Sequence, residues 1–262
     1  MVSDSIELQQ TSAQRVEEAS LNAWPAMQQM LIDGWVLRFS KGFTKRSNSI
    51  VPLYPSNAAT SSAQTLEKIR YCENLYAREQ LQTVFRLTDI DPSNEILEQQ
   101  LDARGYRAAD PSLVLALDLN SLEGSASNIN LNTLEDWLTV YCALTGMDEP
   151  TRTLHRLILN AIGAETGFAT LLDQEVGNNK PLACGLGVVE HDLLGLFDIF
   201  THPEHRRQRL GHDLIKSLLH WGSSLGAKTA YLQVVADNSS ARRLYENMGF
   251  KHIYRYWYRT AP

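Results

Sequence analysis

The stretch "THPEHRRQRLGHDLIKSLLHW", Thr201 to Trp221, holds the residues best placed to do chemistry. Three arginines and three histidines fall within the eleven residues from His202 to His212. They stand just ahead of a segment in which Leu210, Leu214, Ile215, Leu218 and Leu219 recur at helical spacing. A helix start leaves backbone N–H groups unpaired and carries partial positive charge. A helix entered near Arg209-Leu210 from a strand end is therefore an anion site, and Gly211 lets a ligand approach the backbone closely. Arg206, Arg207 and Arg209 add diffuse positive charge suited to phosphates. Local sequence leaves three readings open: a solvated basic loop, a nucleic-acid patch and a pyrophosphate cradle. A Walker-type loop is excluded because no GK[ST] follows, and no GxGxxG opens a helix here as a Rossmann site would need.

Two residues downstream bear on the choice. Asn238 follows the strand-like run "TAYLQVVAD", and the helix beyond it places Ala241, Leu244, Tyr245 and Met248 on one face. Tyr245 then points inward. Taken singly, Asn238 reads as a helix N-cap and Tyr245 as a core tyrosine.

The elements that must position these residues can be read along the chain. Its 262 residues suit one large domain or two smaller ones, and 44% hydrophobic with 21% charged residues is ordinary globular composition. A formal net charge of -6 argues against non-specific nucleic-acid binding, which needs a net basic face. Cys72, Cys142 and Cys184 show no metal spacing and read as reduced thiols, which fits a cytoplasmic protein. The polar, acidic start does not read as a signal peptide, and no apolar run reaches the ~20 residues of a membrane span.

Residues 13–32 read as helical with an interruption at Trp24-Pro25, and 34–54 as two strands around a turn at Lys41-Gly42. The small, polar segment Asn120–Asn132 is the best linker. From residue 128 onward the predicted order is β-α-α-β-β-β-α-β-α-β. One internal echo stands out: Asn94 precedes Gly105-Tyr106 by the spacing at which Asn238 precedes Gly249-Phe250. Each lies in a helix–strand–helix–strand segment, which suggests two related halves.

Together, "DIFTHPEHRRQRLGHDLI" and "LQVVADNSSARRLYENMGF" resemble the two core motifs of the GNAT superfamily of N-acetyltransferases. The first is similar to the strand, [RQ]-x-x-G-x-[GA] and helix that bind the acetyl-CoA pyrophosphate. The second is similar to N-x-x-A-x-x-L-Y-x-x-x-G-F, here Asn238, Ala241, Leu244, Tyr245, Gly249 and Phe250. The resemblance covers residues 128–262, element order included. It implies an α/β (α+β) tandem GNAT-like fold: a mixed, mostly antiparallel sheet flanked by helices, in two related halves. It implies acetyl-CoA as cosubstrate, with no metal, and a small-molecule or peptide amine as acceptor, with neither nucleic acid nor membrane as partner. A homodimer fits the same class.

Residue by residue, the resemblance implies that the backbone of Ile199, Phe200 and Thr201 pairs with the pantetheine arm. Arg206, Arg207, Gln208, Arg209, Leu210, Gly211 and His212 are then the pyrophosphate cradle. Asn238 reaches the pantetheine region, and Tyr245 protonates the departing CoA thiolate. Two positions depart from the pattern. Arg209 stands where the motif has its first glycine, and Gln233 stands where many members carry a glutamate base. Asp198 and Glu190 are left as base candidates. Cys184 has no histidine near it in the local sequence, which argues against a cysteine-borne intermediate.

The segment "AWPAMQQMLIDGWVLRFSKGFTKRSNSIVPLY" resembles the front of bacterial GNAT proteins that carry a degenerate acetyltransferase-like N-terminal domain. The implied division is 1–122 for that domain and 128–262 for the catalytic one. Arg38, Lys45, Arg46, Ser47 and Asn48 either line a substrate groove or form the charged face of an exposed strand pair. The alternative to an enzyme is a non-catalytic acyl-CoA-binding or regulatory protein.

Overall fold

The structure is a computed structural model that describes residues 2–54, 61–91, 94–122, 129–173 and 180–262. The expected linker lies outside the described residues from 123 to 128. In chain order the elements of the first half are α1 (Val2–Asn22), β1 (Gln28–Ile32), β2 (Trp35–Phe39), β3 (Ile50–Pro52), α2 (Ser62–Arg78), β4 (Val84–Thr88), α3 (Asn94–Ala103) and β5 (Arg107–Asp118). There follow β6 (Asn130–Leu131), α4 (Leu134–Thr145), α5 (Glu149–Asn160), β7 (Glu165–Leu172), β8 (Pro181–Glu190), β9 (Leu193–Thr201), α6 (Leu210–Ser224), β10 (Thr229–Val235), α7 (Ser239–Asn247) and β11 (Lys251–Thr260). From β6 on, this is the order expected from the sequence.

The chain divides into two compact units. The first comprises Met1–Val114, Val235–Asp237 and Ile253–Pro262; the second comprises Leu115–Val234 and Asn238–His252. The last strand therefore belongs largely with the N-terminal half, not with residues 128–262. The reason is its pairing: β11 runs antiparallel to β4, with Tyr256 opposite Thr88 and Thr260 opposite Val84.

In the first unit the strands lie in the order β1-β2-β3-β4-β11. The helix expected through residue 32 stops at Asn22. Residues 28–32 instead pair antiparallel with β2, Gln28 against Phe39 and Ile32 against Trp35. The turn between them is Asp33-Gly34, both at positive φ (43° and 79°), which suits a tight hairpin. Behind the sheet, Leu37, Ile50, Phe85 and Leu87 pack against Ile69, Cys72 and Tyr76 of α2 and Leu97 and Leu101 of α3.

Arg38, Ser47 and Asn48 are neither groove nor exposed face: all three are buried. Arg38 donates to the carbonyls of Arg46 (2.8 Å), Leu21 (3.0 Å) and Trp24, and burial pulls its pKa down to about 10. The Asn48 side chain accepts from Ser40 and Gly42 and donates to Phe43 and Thr44, which fixes the loop between β2 and β3. Lys45 is half-exposed and paired with Asp110 at 2.6 Å. The Arg38 and Asn48 side chains thus supply partners for backbone groups of the buried loop.

In the second unit the order is β10-β9-β8-β7-β6. β8 is buried from Ala183 to Val189, so its sequence is a near-continuous apolar run. Both α4 and α6 contact it. From α6 the buried face is Leu214, Ile215, Ser217, Leu218, Leu219 and Gly222, close to the stripe read from the sequence. From α4, Trp137 is fully buried and its Nε1–H lies 3.2 Å from the carbonyls of Ala169 and Gly185.

The internal echo has a structural counterpart. Gly105 and Gly249 both take a left-handed conformation, φ 78° and 92°. The N–H of Tyr106 bonds the Leu101 carbonyl and that of Phe250 bonds the Tyr245 carbonyl, each at 3.0 Å. The same helix stop is thus built twice.

Candidate active site

The site is built where β9 outruns its neighbour. β9 and β10 run parallel from Leu193 opposite Thr229 to Leu196 opposite Leu232, where their register ends. β9 continues to Thr201, still paired on its other edge with β8 through Phe200–Cys184 and Thr201–Ala183. Phe197 to Thr201 therefore offer one backbone edge beyond the β10 ladder, as an extended ligand would require.

In the same segment the β8–β9 register shifts, from Leu186 opposite Phe197 to Cys184 opposite Phe200. Gly185 thus faces two residues, Asp198 and Ile199. Asp198 takes the left-handed conformation this bulge needs, φ 49°. Aspartate is one of the few residues that tolerate it.

Past Thr201, a short turn at Pro203–His205 leads to α6. Arg206, Arg207, Gln208 and Arg209 are all exposed. Arg207 and Arg209 both have positive φ, 63° and 66°. The Arg206 guanidinium stands 6.0 Å above the Phe200 ring. Arg209 is the N-cap of α6 and makes no side-chain capping bond. The contrast with other helices is informative. α2, α4, α5 and α7 are each capped by a side chain, from Ser61, Thr133, Asp148 and Asn238. No side chain caps the start of α6, which makes it a candidate anion site. Gly211 sits against the strand end; a Cβ there would meet Thr201 Oγ1 at 3.3 Å.

α7 supplies the remaining residues. The Asn238 side chain accepts from the Ala241 N–H at 3.1 Å, so its amide NH2 is the half a ligand could use. Tyr245 is buried against Phe250, ring centroids 6.0 Å apart, and burial pushes its phenol up to about 12. At neutral pH it is a proton donor.

A family model described as the C-terminal region of the probable histone acetyltransferase Rv0428c matches residues 11–259. The chain belongs to the GNAT N-acetyltransferases. It is similar to the uncharacterized N-acetyltransferase YobR of Bacillus subtilis, 25% identical over 94% of this chain and 97% of that one. It is also similar to the [ribosomal protein bS18]-alanine N-acetyltransferase of Escherichia coli, 36% identical over 32% of this chain and 58% of that one. Among solved structures, the GCN5-related N-acetyltransferase from Kribbella flavida superposes with TM-score 0.69 over 95% of each chain at 16% identity.

GNAT acetyltransferases use acetyl-CoA, and the residues here fit that group. An open β9 edge, an uncapped α6 start and an exposed run of arginines suit a pantetheine arm ending in a pyrophosphate. The place of the GNAT motif's first glycine is held here by Arg209, which is left-handed. It adopts that conformation with a side chain, at a steric cost.

Of the two base candidates of this GNAT protein, only Asp198 lies near the β9–α6 junction. Glu190 is opposite Leu193 at the other end of the β8–β9 ladder, five residues or about 17 Å along the strand from Asp198. Cys184 is buried, and its thiol is pushed up by burial and by the charge of Asp198, so it is no nucleophile. One residue escaped the sequence reading. His155 of α5, 1% exposed, places Nε2 2.9 Å from Asp198 Oδ2. Its only sequence signal is its place on the apolar face with Ile158 and Leu159, where a core histidine is the plain reading. Among the described residues no helix is long and apolar enough to cross a membrane.

Proposed function

We propose that this acyltransferase moves an acetyl group from acetyl-CoA to a primary amine by direct attack within a ternary complex. When bound, acetyl-CoA supplies the activated acetyl group and a thiolate leaving group. The amides of Arg207 to His212 hold the pyrophosphate, with Arg206, Arg207 and Arg209 screening its charge. The Ile199–Thr201 backbone pairs with the pantetheine arm, and the Asn238 amide reaches the same region. A backbone N–H on that β9 edge polarises the thioester carbonyl.

An alkyl amine is protonated near neutral pH, so it must lose a proton before it attacks. Asp198 Oδ1 accepts that proton, directly or through one water. The amine nitrogen bonds the acetyl carbon, the carbon–sulfur bond breaks, and Tyr245 gives its phenolic proton to the sulfur. The amine's second proton restores the phenol, and Asp198 passes the first to solvent.

The observation that carries this reading is the uncapped α6 start against the far end of β9, where a Cβ on Gly211 would meet Thr201 Oγ1 at 3.3 Å. It is tested by free-CoA release across lysine, spermidine and a peptide with an N-terminal alanine, the last chosen because a relative acetylates alanine. Tyr245→Phe should lower kcat by about 10²-fold or more. Binding of acetyl-CoA should stay within about threefold. Unchanged turnover would remove Tyr245 from the chemistry.

A further inference from the structure

The Asp198 carboxylate stands on a bulge, where a side chain has more freedom than on a regular strand. It is nevertheless held from behind by a group from another element. His155 Nε2 and Asp198 Oδ2 are 2.9 Å apart, with His155 1% exposed and the Asp198 side chain 15% exposed. The imidazole is enclosed by two rings of α4. Tyr141 of α4 lies edge-on to it at 5.2 Å and Trp137 at 6.2 Å, centroid to centroid. Trp137 is itself pinned to the Gly185 carbonyl, on the residue that faces the bulge. On the strand side, the buried Cys184 is the neighbouring titratable group.

We propose that His155 is a positioning residue for acetyl transfer: it holds Asp198 Oδ2 so that Oδ1 faces the incoming amine. This rests on the reading of Asp198 as the base. A buried histidine bonded to a carboxylate could instead serve only to satisfy that carboxylate in the fold. The two roles separate in kinetics. A fixing role acts through Asp198 alone, and it needs only a donor at the place of Nε2. Glutamine puts its amide nitrogen there; phenylalanine keeps a planar ring, somewhat larger, and removes the donor; asparagine stops short.

The test uses the full chain and the best acceptor among lysine, spermidine and the alanine-starting peptide. His155→Phe should lower kcat by about tenfold, the loss of one charge-assisted hydrogen bond. His155→Gln should stay within about threefold of wild type, and both should keep the wild-type affinity for acetyl-CoA. If His155→Phe does not fold, His155→Asn takes its place with the same expected loss. The double variant Asp198→Asn with His155→Phe should be no slower than Asp198→Asn alone. Multiplied losses in the double variant, or equal losses in the glutamine and phenylalanine variants, would overturn the positioning role. Full activity of His155→Phe with Asp198→Asn impaired would overturn it alone. Full activity of Asp198→Asn would defeat the base assignment, and no CoA release on any acceptor would defeat the transferase reading itself.

Discussion

At the scale of single residues, Arg209 carries much of the interest. A left-handed conformation costs a residue with a Cβ roughly 1–2 kcal/mol. Glycine would remove that cost but gain roughly 0.5–1 kcal/mol of unfolded-state entropy. Arg209→Gly should therefore raise stability by up to ~1 kcal/mol in urea unfolding. If the α6 amides hold the phosphates, acetyl-CoA affinity should stay within about threefold; a tenfold loss would make the guanidinium the main contact. Cys184→Ala should keep turnover within about threefold, because the buried thiol stays protonated. Mass spectrometry under turnover should find no acetylated protein. The places of the arginine run ahead of α6, of Asn238 as the α7 N-cap and of Tyr245 on its buried face were legible because helix periodicity and capping chemistry fix them. His155 was not, since its partner lies 43 residues away, on a bulge that sequence periodicity does not reveal. Glu190 looked equivalent to Asp198 for the same reason: only the hairpin register puts the two at opposite ends of a ladder.

At the scale of elements, the site depends on three chain ends meeting: the far end of β9, the start of α6 and the face of α7. Gly211 lies close to both neighbours: a Cβ there would meet Thr201 Oγ1 at 3.3 Å and Leu244 Cδ2 at 3.6 Å. Gly211→Val should push α6 off the strand end and weaken acetyl-CoA binding by about tenfold or more, measured by equilibrium dialysis. The order from β6 to β11 was readable because each element there has clear periodicity and punctuation. The first hairpin was not: Met27, Met30 and Leu31 mimic a helical face, while β1 is an exposed strand with little alternation to mark it. The Asp33-Gly34 turn was the signal that could have separated the two. Arg38 was taken for a surface residue because burial of an arginine is visible only once its three carbonyl partners are assembled.

At the scale of the whole molecule, the two compact units are not two consecutive stretches of chain. Residues 253–262 complete the sheet of the first unit through β4. A chain begun at residue 115 would lack β4 and leave that strand without its ladder. Such a truncation should be aggregation-prone or destabilised in thermal melts, so it does not cleanly separate the halves. Alkaline stability should also report on the whole fold. Burial pushes Tyr245 up to about 12, and raises Tyr76, Tyr106 and Tyr258 further. Tyr256 moves the other way: burial raises it, but the charges of Arg46 and Arg86 and hydrogen bonds to Ser112 and Arg46 together lower it. For the raised phenols the folded state holds the proton more tightly than the unfolded one. Their contribution is complete below about pH 10 and is lost as pH rises through 12. Urea midpoints should therefore fall steeply between those values.

The central claim is that the β9–α6 junction binds acetyl-CoA. Titration calorimetry of acetyl-CoA into the full chain tests it most directly. Saturable binding at one site per chain is predicted, with Kd in the micromolar to sub-millimolar range usual for enzyme substrates and strongly weakened in Gly211→Val. Absence of saturable binding, or binding indifferent to that substitution, would contradict the account.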